Sequence, residues 1–152
     1  MLTIRKILVA VDGSAPSIDA SAQAIDMAKK LRAQLIVLYV ISPDTRYHYL
    51  EDTLTPKLPK ALKDVLMIAM QTGENHVEKI RQTARKKNVK VKTDVIVGIS
   101  SVVKEIVDYA HNNKIDMIVV GSRGLSGFKK MLLGSVASGV VTYADCLVLV
   151  AK

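Results

Sequence analysis

The chain has 152 residues, of which 49% are hydrophobic and 24% charged, a size and composition typical of one ordinary globular domain. A chain of this length buries about 70% of its extended surface, so its core needs neither disulfides nor a metal. The single cysteine, Cys146, excludes a framework of internal disulfides and favours a cytoplasmic protein. Its apolar stretches fall far short of the roughly 20 residues of a spanning helix, so we expect no membrane insertion.

The 22 Lys and Arg residues exceed the 14 Asp and Glu residues, which gives a formal charge of +8. Such an excess attracts nucleic acid, anionic lipid or phosphorylated small molecules, and charge alone does not choose among them. The basic residues are spread along the chain in short clusters, which we interpret as solvated faces. Aromatic residues make up only 4% and offer few platforms for stacking bases, so we predict no specific nucleic-acid partner. A membrane partner would rest on the charge alone, and we predict none.

Short runs rich in Val, Ile and Leu alternate with segments of helical periodicity along the whole chain. The strands are predicted at 4–11, 34–41, 91–97, 115–120 and 146–150. A long helix is predicted over 62–84, and shorter ones at about 101–112 and 135–143. After the first strand, the predicted helical stripe consists of Ile18, Ala22, Ile25, Ala28 and Leu31.

The order β-α-β-α-β-α-β-α-β predicts an α/β fold in a single domain over 1–152. We expect a doubly wound, parallel five-stranded sheet of flavodoxin-like order 3-2-1-4-5 with helices on both faces. Several strands lack polar alternation, as expected when helices cover both faces. The segment 42–60 holds three of the four prolines and is predicted to be a long loop. Such a loop serves as a lid or partner surface, or is a tolerated insertion.

The loop after the fourth strand has the residues suited to bind phosphate. Ligands of such sheets bind beyond the carboxyl ends of the strands, where the strand order reverses. Gly121 and Gly124 are followed, after nine further residues, by Gly134 and Ser135 at a predicted helix start. Glycines let backbone N–H groups approach a ligand, and a helix start adds N–H donors and the positive end of the helix dipole.

Arg123, Lys129 and Lys130 add positive charge to the same loop. Taken one at a time, its glycines and Ser135 have simpler explanations as a strand end, a turn and an N-cap, but their joint spacing favours phosphate. After the first strand, Asp12 is predicted to lie opposite this loop. Its carboxylate can accept hydrogen bonds from ribose hydroxyls or approach a metal ion, or it can cap the helix that follows.

These segments resemble the ATP-binding branch of the universal stress protein family over essentially the whole chain. The resemblance rests on ILVAVDGS at 7–14, Gly-x-x-Gly-x9-Gly-Ser at 121–135 and CLVLV at 146–150. The family often has Pro where Leu147 follows the cysteine, and a Gly-x-Pro turn where this chain has Gly-Ile-Ser-Ser at 98–101. Neither departure touches the glycine loop.

The resemblance implies a site for ATP with a divalent ion, Mg²⁺ or Mn²⁺, on the phosphate oxygens, and it also points to a homodimer. It implies adenine near the backbone of Val11 and Val40 and ribose near Asp12 and Gly121. The phosphates would lie on Gly124, Gly134, Ser135 and Val136.

Other chemistries find little support in the sequence. The chain lacks the P-loop signature Gly-x-x-x-x-Gly-Lys-Ser/Thr and the dinucleotide signature Gly-x-Gly-x-x-Gly after its first strand. His48, His76 and His111 show no metal-ligand spacing and are expected on the surface or in loops. Cys146 is expected to be a buried, inert thiol at the start of the last strand, and the six methionines are expected to pack in the core.

The sequence therefore predicts an ATP-binding stress-response or signalling module. The alternative is a slow ATPase or nucleotide transferase that uses the same pocket, although apart from Asp12 no acidic or glutamine residue stands ready to orient a nucleophile. A basic adaptor for nucleic acid or membranes rests on the charge alone. The last strand is predicted at a sheet edge, where pairing with a second copy would form a homodimer.

Overall fold

The computed structural model describes residues 2–42, 60–123 and 133–152, and in these parts of the chain strands and helices alternate. The helices are α1 (Ala15–Leu31), α2 (Lys60–Lys86), α3 (Val102–Asn112) and α4 (Ser135–Tyr143). The strands are β1 (Lys6–Val11), β2 (Gln34–Ile41), β3 (Val91–Val97), β4 (Met117–Gly121) and β5 (Leu147–Ala151).

The five strands form one parallel sheet in the order β3-β2-β1-β4-β5, which confirms the predicted doubly wound fold. β2, β3 and α4 have the predicted bounds, whereas β1, β4 and β5 begin one or two residues later than predicted. The carboxylate of Asp116, just before β4, accepts hydrogen bonds from the backbone N–H groups of Arg5 and Lys6 at 2.8 and 2.9 Å and so joins the starts of β1 and β4.

Cys146 lies just before β5 and is half-buried, so the prediction of a buried thiol inside the strand was wrong. Burial is the main reason why the pKa of this thiol is raised, and the nearby Asp145 carboxylate acts in the same direction. A raised thiol pKa is the opposite of what thiolate chemistry requires, and this agrees with the expectation of an inert cysteine.

Two layers of helices cover the two faces of the sheet. On one face, α1 and α2 pack against alternate residues of the central strands, such as Ile7, Val9 and Val37. On the other face, α3 and α4 pack against the intervening residues, such as Leu8 and Ile118. Because both faces are covered, the central strands are buried along nearly their whole length, which explains their continuous apolar runs.

The apolar stripe predicted for α1 is confirmed for Ile25 and Ala28, which are buried, and was wrong for Ile18, Ala22 and Leu31. Ile18 and Leu31 are 50% and 42% exposed, whereas Ser17 and Ser21 are buried against the sheet. The serine hydroxyls can be buried because each donates a hydrogen bond to the helix's own backbone, Ser17 to the carbonyl of Ser14 and Ser21 to that of Ile18. The remaining buried positions are mostly small, namely Ala20, Ala24, Ile25 and Ala28.

In α2, Gly73, Val77, Ile80 and Ala84 of the apolar stripe are buried as predicted, and its earlier members Leu66 and Ala69 are half-buried. The prediction that the methionines pack in the core was wrong for Met67 and Met70, which are 69% and 43% exposed. The predicted loop at 42–60 falls largely on residues 43–59, which lie outside the described residues. Within the described parts of the chain, no helix is long and apolar enough to cross a membrane.

Candidate functional site

A cavity of about 410 Å³ lies at the carboxyl edge of the sheet, beside the point between β1 and β4 where the strand order reverses. Its walls come from the ends of β1, β2 and β4, the amino-terminal parts of α3 and α4, and one residue each of α1 and α2. The volume falls within the range of about 300–1,000 Å³ that is typical of small-molecule sites. The fold therefore forms a ligand-sized cavity where the sequence predicted one.

One side of this cavity is apolar. It is built where β2 faces α2 and α3, and its surface includes Val40, Ala69, Val102 and Ile106. Ile106 is fully buried and Val102 packs against the same core cluster, so this wall is fixed by the packing of α3 on the sheet. A flat apolar group, such as a heterocyclic base, can bury its faces here without leaving polar protein groups unpaired.

The turn after β1 presents Asp12 to the cavity. One carboxylate oxygen of Asp12 accepts a hydrogen bond from the backbone N–H of Ser14 at 2.9 Å. The backbone N–H of Asp12 in turn donates to the hydroxyl of Ser17 at 3.3 Å. Ser14, not Asp12, is the N-cap of α1, and its hydroxyl accepts a hydrogen bond from the N–H of Ser17. The alternative that Asp12 caps α1 was therefore wrong, although Asp12 does hold the turn that leads into the helix.

The polar side of the cavity is built where β4 leads toward α4. Gly121 ends β4, and Gly134 occupies the N-cap position of α4, where no side chain caps the helix. The backbone N–H of Gly134 donates to the carbonyl of Ser122 at 2.6 Å, which brings the start of α4 against the end of β4. The first turn of α4, including Ser135 and Val136, thus borders the cavity with the positive end of its helix dipole.

Gly134 is closely surrounded by backbone. A Cβ atom built on it would lie 3.2 Å from the carbonyl oxygen of Ser122 and 3.3 Å from Cα of Arg123. These neighbours would have to shift by a few tenths of an ångström to admit any side chain. The glycine is therefore explained by the close approach of the Ser122 and Arg123 backbone at the cavity wall.

Tyr39 and His76 are residues of this region whose importance the sequence did not reveal. The Tyr39 ring lines the cavity and stacks on the imidazole of His76 in α2, with ring centroids 5.9 Å apart and an interplanar angle of 14°. Burial is the main reason why the pKa of Tyr39 is raised, and the charge of Asp12 raises it further. The pairing joins β2 to α2 across many intervening residues, so no local sequence pattern could have indicated it.

The structure brings together all of the predicted site residues that it describes. Gly124, Lys129 and Lys130 lie outside the described residues. Arg123 is exposed at the cavity wall, and among the described residues that line the cavity it is the one with a positive charge. The other predicted residues that line the cavity are Val11, Asp12, Val40, Gly121, Gly134, Ser135 and Val136.

A divalent ion would find one acidic side chain in the described part of this cavity, that of Asp12. The described residues contain no group of three or more His, Cys, Asp and Glu side chains able to hold a metal by themselves. This donor set suits a metal such as Mg²⁺, which is commonly bound through one or two carboxylates together with phosphate oxygens of the ligand and water.

Comparisons with known proteins agree on one family. The profile of the Universal stress protein family matches residues 3–152. A universal stress protein of Methanocaldococcus jannaschii is 32% identical over 148 residues, which cover 97% of this chain and 82% of that protein. The solved structure of a universal stress protein from Lactobacillus plantarum is 28% identical, with a TM-score of 0.84 and 98% of both chains covered.

Two more distant structures of the same fold are complexes with nucleotides. One is a universal stress protein in complex with cAMP, 24% identical, with a TM-score of 0.66 over 99% of this chain and 98% of that chain. The other is the universal stress protein from Archaeoglobus fulgidus in complex with dAMP, 18% identical, with a TM-score of 0.65 and both chains fully covered.

Proposed function

Because the chain belongs to the universal stress protein family, we propose that it binds ATP with a divalent metal ion, Mg²⁺ or Mn²⁺, and acts as a cytoplasmic stress-response or signalling module. The observation that carries this proposal is the two-sided cavity, apolar toward β2 and α3 and rich in backbone N–H donors toward α4. An adenosine triphosphate has the matching two ends, an apolar base and a polyanion. The complexes of family members with cAMP and dAMP support an adenine nucleotide as the ligand class.

We assign the adenine to the apolar side, against the backbone of Val11 and Val40. The ribose lies between Asp12 and Gly121, where the Asp12 carboxylate can accept hydrogen bonds from its hydroxyls. The bound metal ion would supply charge neutralisation on the phosphate oxygens, with Asp12 as its nearest carboxylate.

The phosphates lie at the polar side, beside Gly134, on the backbone N–H groups of Ser135 and Val136 and on Gly124 of the predicted loop. Arg123 provides a positive charge beside them. This arrangement uses the N–H groups and dipole of α4 as its main source of attraction, as helix starts commonly do for phosphate.

Binding without fast turnover is the activity that these residues favour. Fast phosphoryl transfer requires a side chain that positions the attacking nucleophile. Among the described residues that line the cavity, Asp12 alone is acidic and none is a glutamine, and Asp12 is already assigned to the ribose and the metal. Phosphate release from ATP at rates of ~1 to 100 per second, the range of typical kinases, would contradict this assignment and favour the enzyme alternative.

The decisive experiment identifies the nucleotide that the protein carries and prefers. The purified protein is denatured and any released nucleotide is identified by chromatography. The stripped protein is then titrated calorimetrically with ATP, AMP, cAMP and GTP, with and without Mg²⁺. We expect micromolar or tighter ATP binding that strengthens with Mg²⁺. Equal binding of GTP, or no binding of any nucleotide by folded protein, would contradict the proposal.

We also propose a homodimer that forms through β5. This strand lies at one edge of the sheet and Leu147 at its start is 43% exposed. An open apolar edge presents unpaired backbone groups that a second copy can satisfy about a two-fold axis.

A further inference from the structure

The edge of the sheet opposite the cavity gathers half of the chain's basic residues. Strands begin and helices end at this amino edge, and backbone hydrogen bonds join its loops directly. The N–H of Gln34 donates to the carbonyl of Arg5, and the N–H of Leu35 to that of Lys90, each at 2.8 Å. Eleven of the 22 Lys and Arg residues lie here, at positions 5, 6, 29–32, 85–92 and 114, and we call them the basic amino-edge surface.

This surface carries a large excess of positive charge. Of the acidic residues that the structure describes, Asp26, Asp108, Asp116 and Asp145 lie at the same edge, so the surface has a formal charge of +7. Two of these acids are already engaged, Asp26 with Lys87 and Asp145 with His111, both at 2.9 Å. The clusters that are separate in the sequence therefore lie on neighbouring loops at one edge of the sheet.

The fold itself does not need this much charge. Basic residues in the last turn of a helix offset its negative end, and α1 and α2 each have two of them. Each helix end is equivalent to about half a negative charge, so four ends account for about two positive charges. Arg5, Lys90 and Lys114 lie outside the helices altogether. Most of the charge is thus available to an external partner.

In contrast to the expectation from the sequence of no membrane partner, we propose that the basic amino-edge surface docks the protein onto an anionic membrane surface. Lys and Arg would contact acidic lipid headgroups, each contributing attraction that salt weakens. Apolar side chains among the cations favour lipid over nucleic acid. Leu31 and Tyr143, the last residues of α1 and α4, are 42% and 71% exposed at this edge. A phosphodiester backbone offers Leu31 no apolar surface to bury against, whereas the headgroup region does.

This docking goes beyond the proposed nucleotide binding and does not depend on it. The cavity lies at the carboxyl edge of the sheet, so a protein held by its amino edge keeps the cavity open to the surrounding solution. Failure of one proposal therefore leaves the other standing.

The test is flotation of the purified full chain with two kinds of vesicle, pure phosphatidylcholine and a 7:3 mixture of phosphatidylcholine and phosphatidylglycerol. We expect the protein to float with the anionic vesicles at low salt, to remain unbound with the neutral ones, and to dissociate as salt is raised. Binding to both kinds alike, or to neither, would overturn the proposal.

Two triple variants that change the net charge equally distinguish an effect of the basic amino-edge surface from an effect of the protein's net charge. Lys30→Glu, Lys86→Glu and Lys90→Glu alter exposed residues of the surface, and the control alters exposed Lys60, Lys63 and Lys79 to Glu. We expect the first triple to lose vesicle affinity at least about 100-fold and the control less than about threefold. Equal losses would overturn the proposal. The corresponding Lys→Gln triple, which avoids new charges at helix ends, serves if the first does not fold.

A duplex of DNA is the competing partner for the same cations. Leu31→Ser distinguishes the two, because it should weaken vesicle flotation severalfold and leave DNA binding unchanged. Tighter binding to the duplex than to anionic vesicles at equal salt, lost in the same Lys triple, would assign the surface to nucleic acid and overturn docking on lipid.

Discussion

His76 of α2 lies directly over the backbone of Gly13 in the turn that follows β1. A Cβ atom built on Gly13 would stand 2.5 Å from Nε2 of His76, and the φ angle of Gly13 is +83°. The imidazole is not free to move aside without cost, because it stacks on Tyr39. The contact therefore joins α2 and β2 to the turn that presents Asp12 to the cavity.

Gly13→Ala should destabilise the protein for two reasons. The left-handed backbone conformation costs an L-residue about 1–2 kcal/mol, and the new methyl group must displace the His76 ring. We expect a loss of more than about 2 kcal/mol in the free energy of unfolding, measured by urea denaturation.

The background His76→Ala separates the two causes. In it, Gly13→Ala should cost only the backbone term of about 1–2 kcal/mol. An equal cost in both backgrounds would mean that the contact with His76 has no energetic weight.

Asp12→Ala should weaken ATP binding by roughly 10 to 150-fold, because a hydrogen bond to a charged group contributes about 1.5–3 kcal/mol. Calorimetric titration with and without Mg²⁺ measures the effect. Asp19→Ala, at an exposed position of α1, is the matched control and should bind like the parent.

Asp12→Asn distinguishes ligand contact from the support of the turn. The amide oxygen can still accept the hydrogen bond from Ser14, so the fold should be preserved while the charge is lost. If Asp12→Ala binds ATP within about twofold of the parent, the residue holds the turn and does not contact the ligand.

The fold was predictable because its signal is local and repeated. The strand β2 has its predicted bounds, since its continuous apolar run reflects burial on both faces. The orientation of α1 was not predictable from apolar spacing, because its buried face uses serines whose hydroxyls bond to the helix backbone. A search for apolar periodicity misses small polar residues, such as Ser17 and Ser21, that can be buried because their hydroxyls donate to the helix backbone.

The site was predictable where it follows strand ends and glycines, and not where it depends on tertiary packing. Asp12 directly follows the first strand and Gly134 directly precedes the helix after the fourth strand, so the order of elements in the sequence places both at the sheet's carboxyl edge. The stack of Tyr39 on His76 and the hydrogen bond from Leu35 to Lys90 join segments far apart in sequence. Only the packing of helices on the sheet and the pairing of its strands bring them together.

Gly134→Val should abolish ATP binding and leave the helical content nearly unchanged. The side chain would stand against the backbone of Ser122 and Arg123 and occupy space assigned to the phosphates. Ser138→Val, on the exposed side of α4, is the control for a β-branched residue in this helix. Calorimetry and circular dichroism provide the measurements. A folded Gly134→Val protein that titrates ATP like the parent would show that the phosphates lie elsewhere.

Glu105 in α3 links stability to pH through the loop that precedes this helix. Burial raises the pKa of its carboxyl group, but hydrogen bonds from the N–H groups of Ile99 and Ser100 and from the Ser100 hydroxyl outweigh burial, so the pKa is lowered from 4.5. A carboxyl group with a lowered folded pKa stabilises the protein above its unfolded pKa, and this contribution is lost as the pH falls through the folded value.

Glu105→Gln should therefore cost about 1–2 kcal/mol of unfolding free energy at pH 7, and the difference from the parent should shrink as the pH falls below about 4.5. Urea denaturation at several pH values provides the measurement, with Glu74→Gln at an exposed position of α2 as the control. A difference that stays constant from pH 7 to pH 3 would show that ionised Glu105 does not stabilise the fold.

The edge strand β5 directs half of its backbone groups away from the sheet. The N–H of Leu147 donates to the carbonyl of Asp116 toward β4. Because backbone groups alternate along a strand, those of Val148 and Val150 point outward. The side chain of Leu149 packs against the core beneath α1 and α2, so a charge placed there would disturb folding as well as an interface.

Val148→Pro and Leu147→Lys should each convert the proposed dimer to a monomer. The first removes an outward N–H group, and the second puts a charge at a side chain that is 43% exposed on the edge strand. Met67→Lys, an equally drastic change at an exposed apolar residue of α2, should leave the dimer intact. Analytical ultracentrifugation at about ten to one hundred micromolar, a range that detects weak association, measures the outcome. A parent protein that sediments as a monomer throughout this range would refute dimerisation through β5, and the open edge would then have to be covered within a single chain.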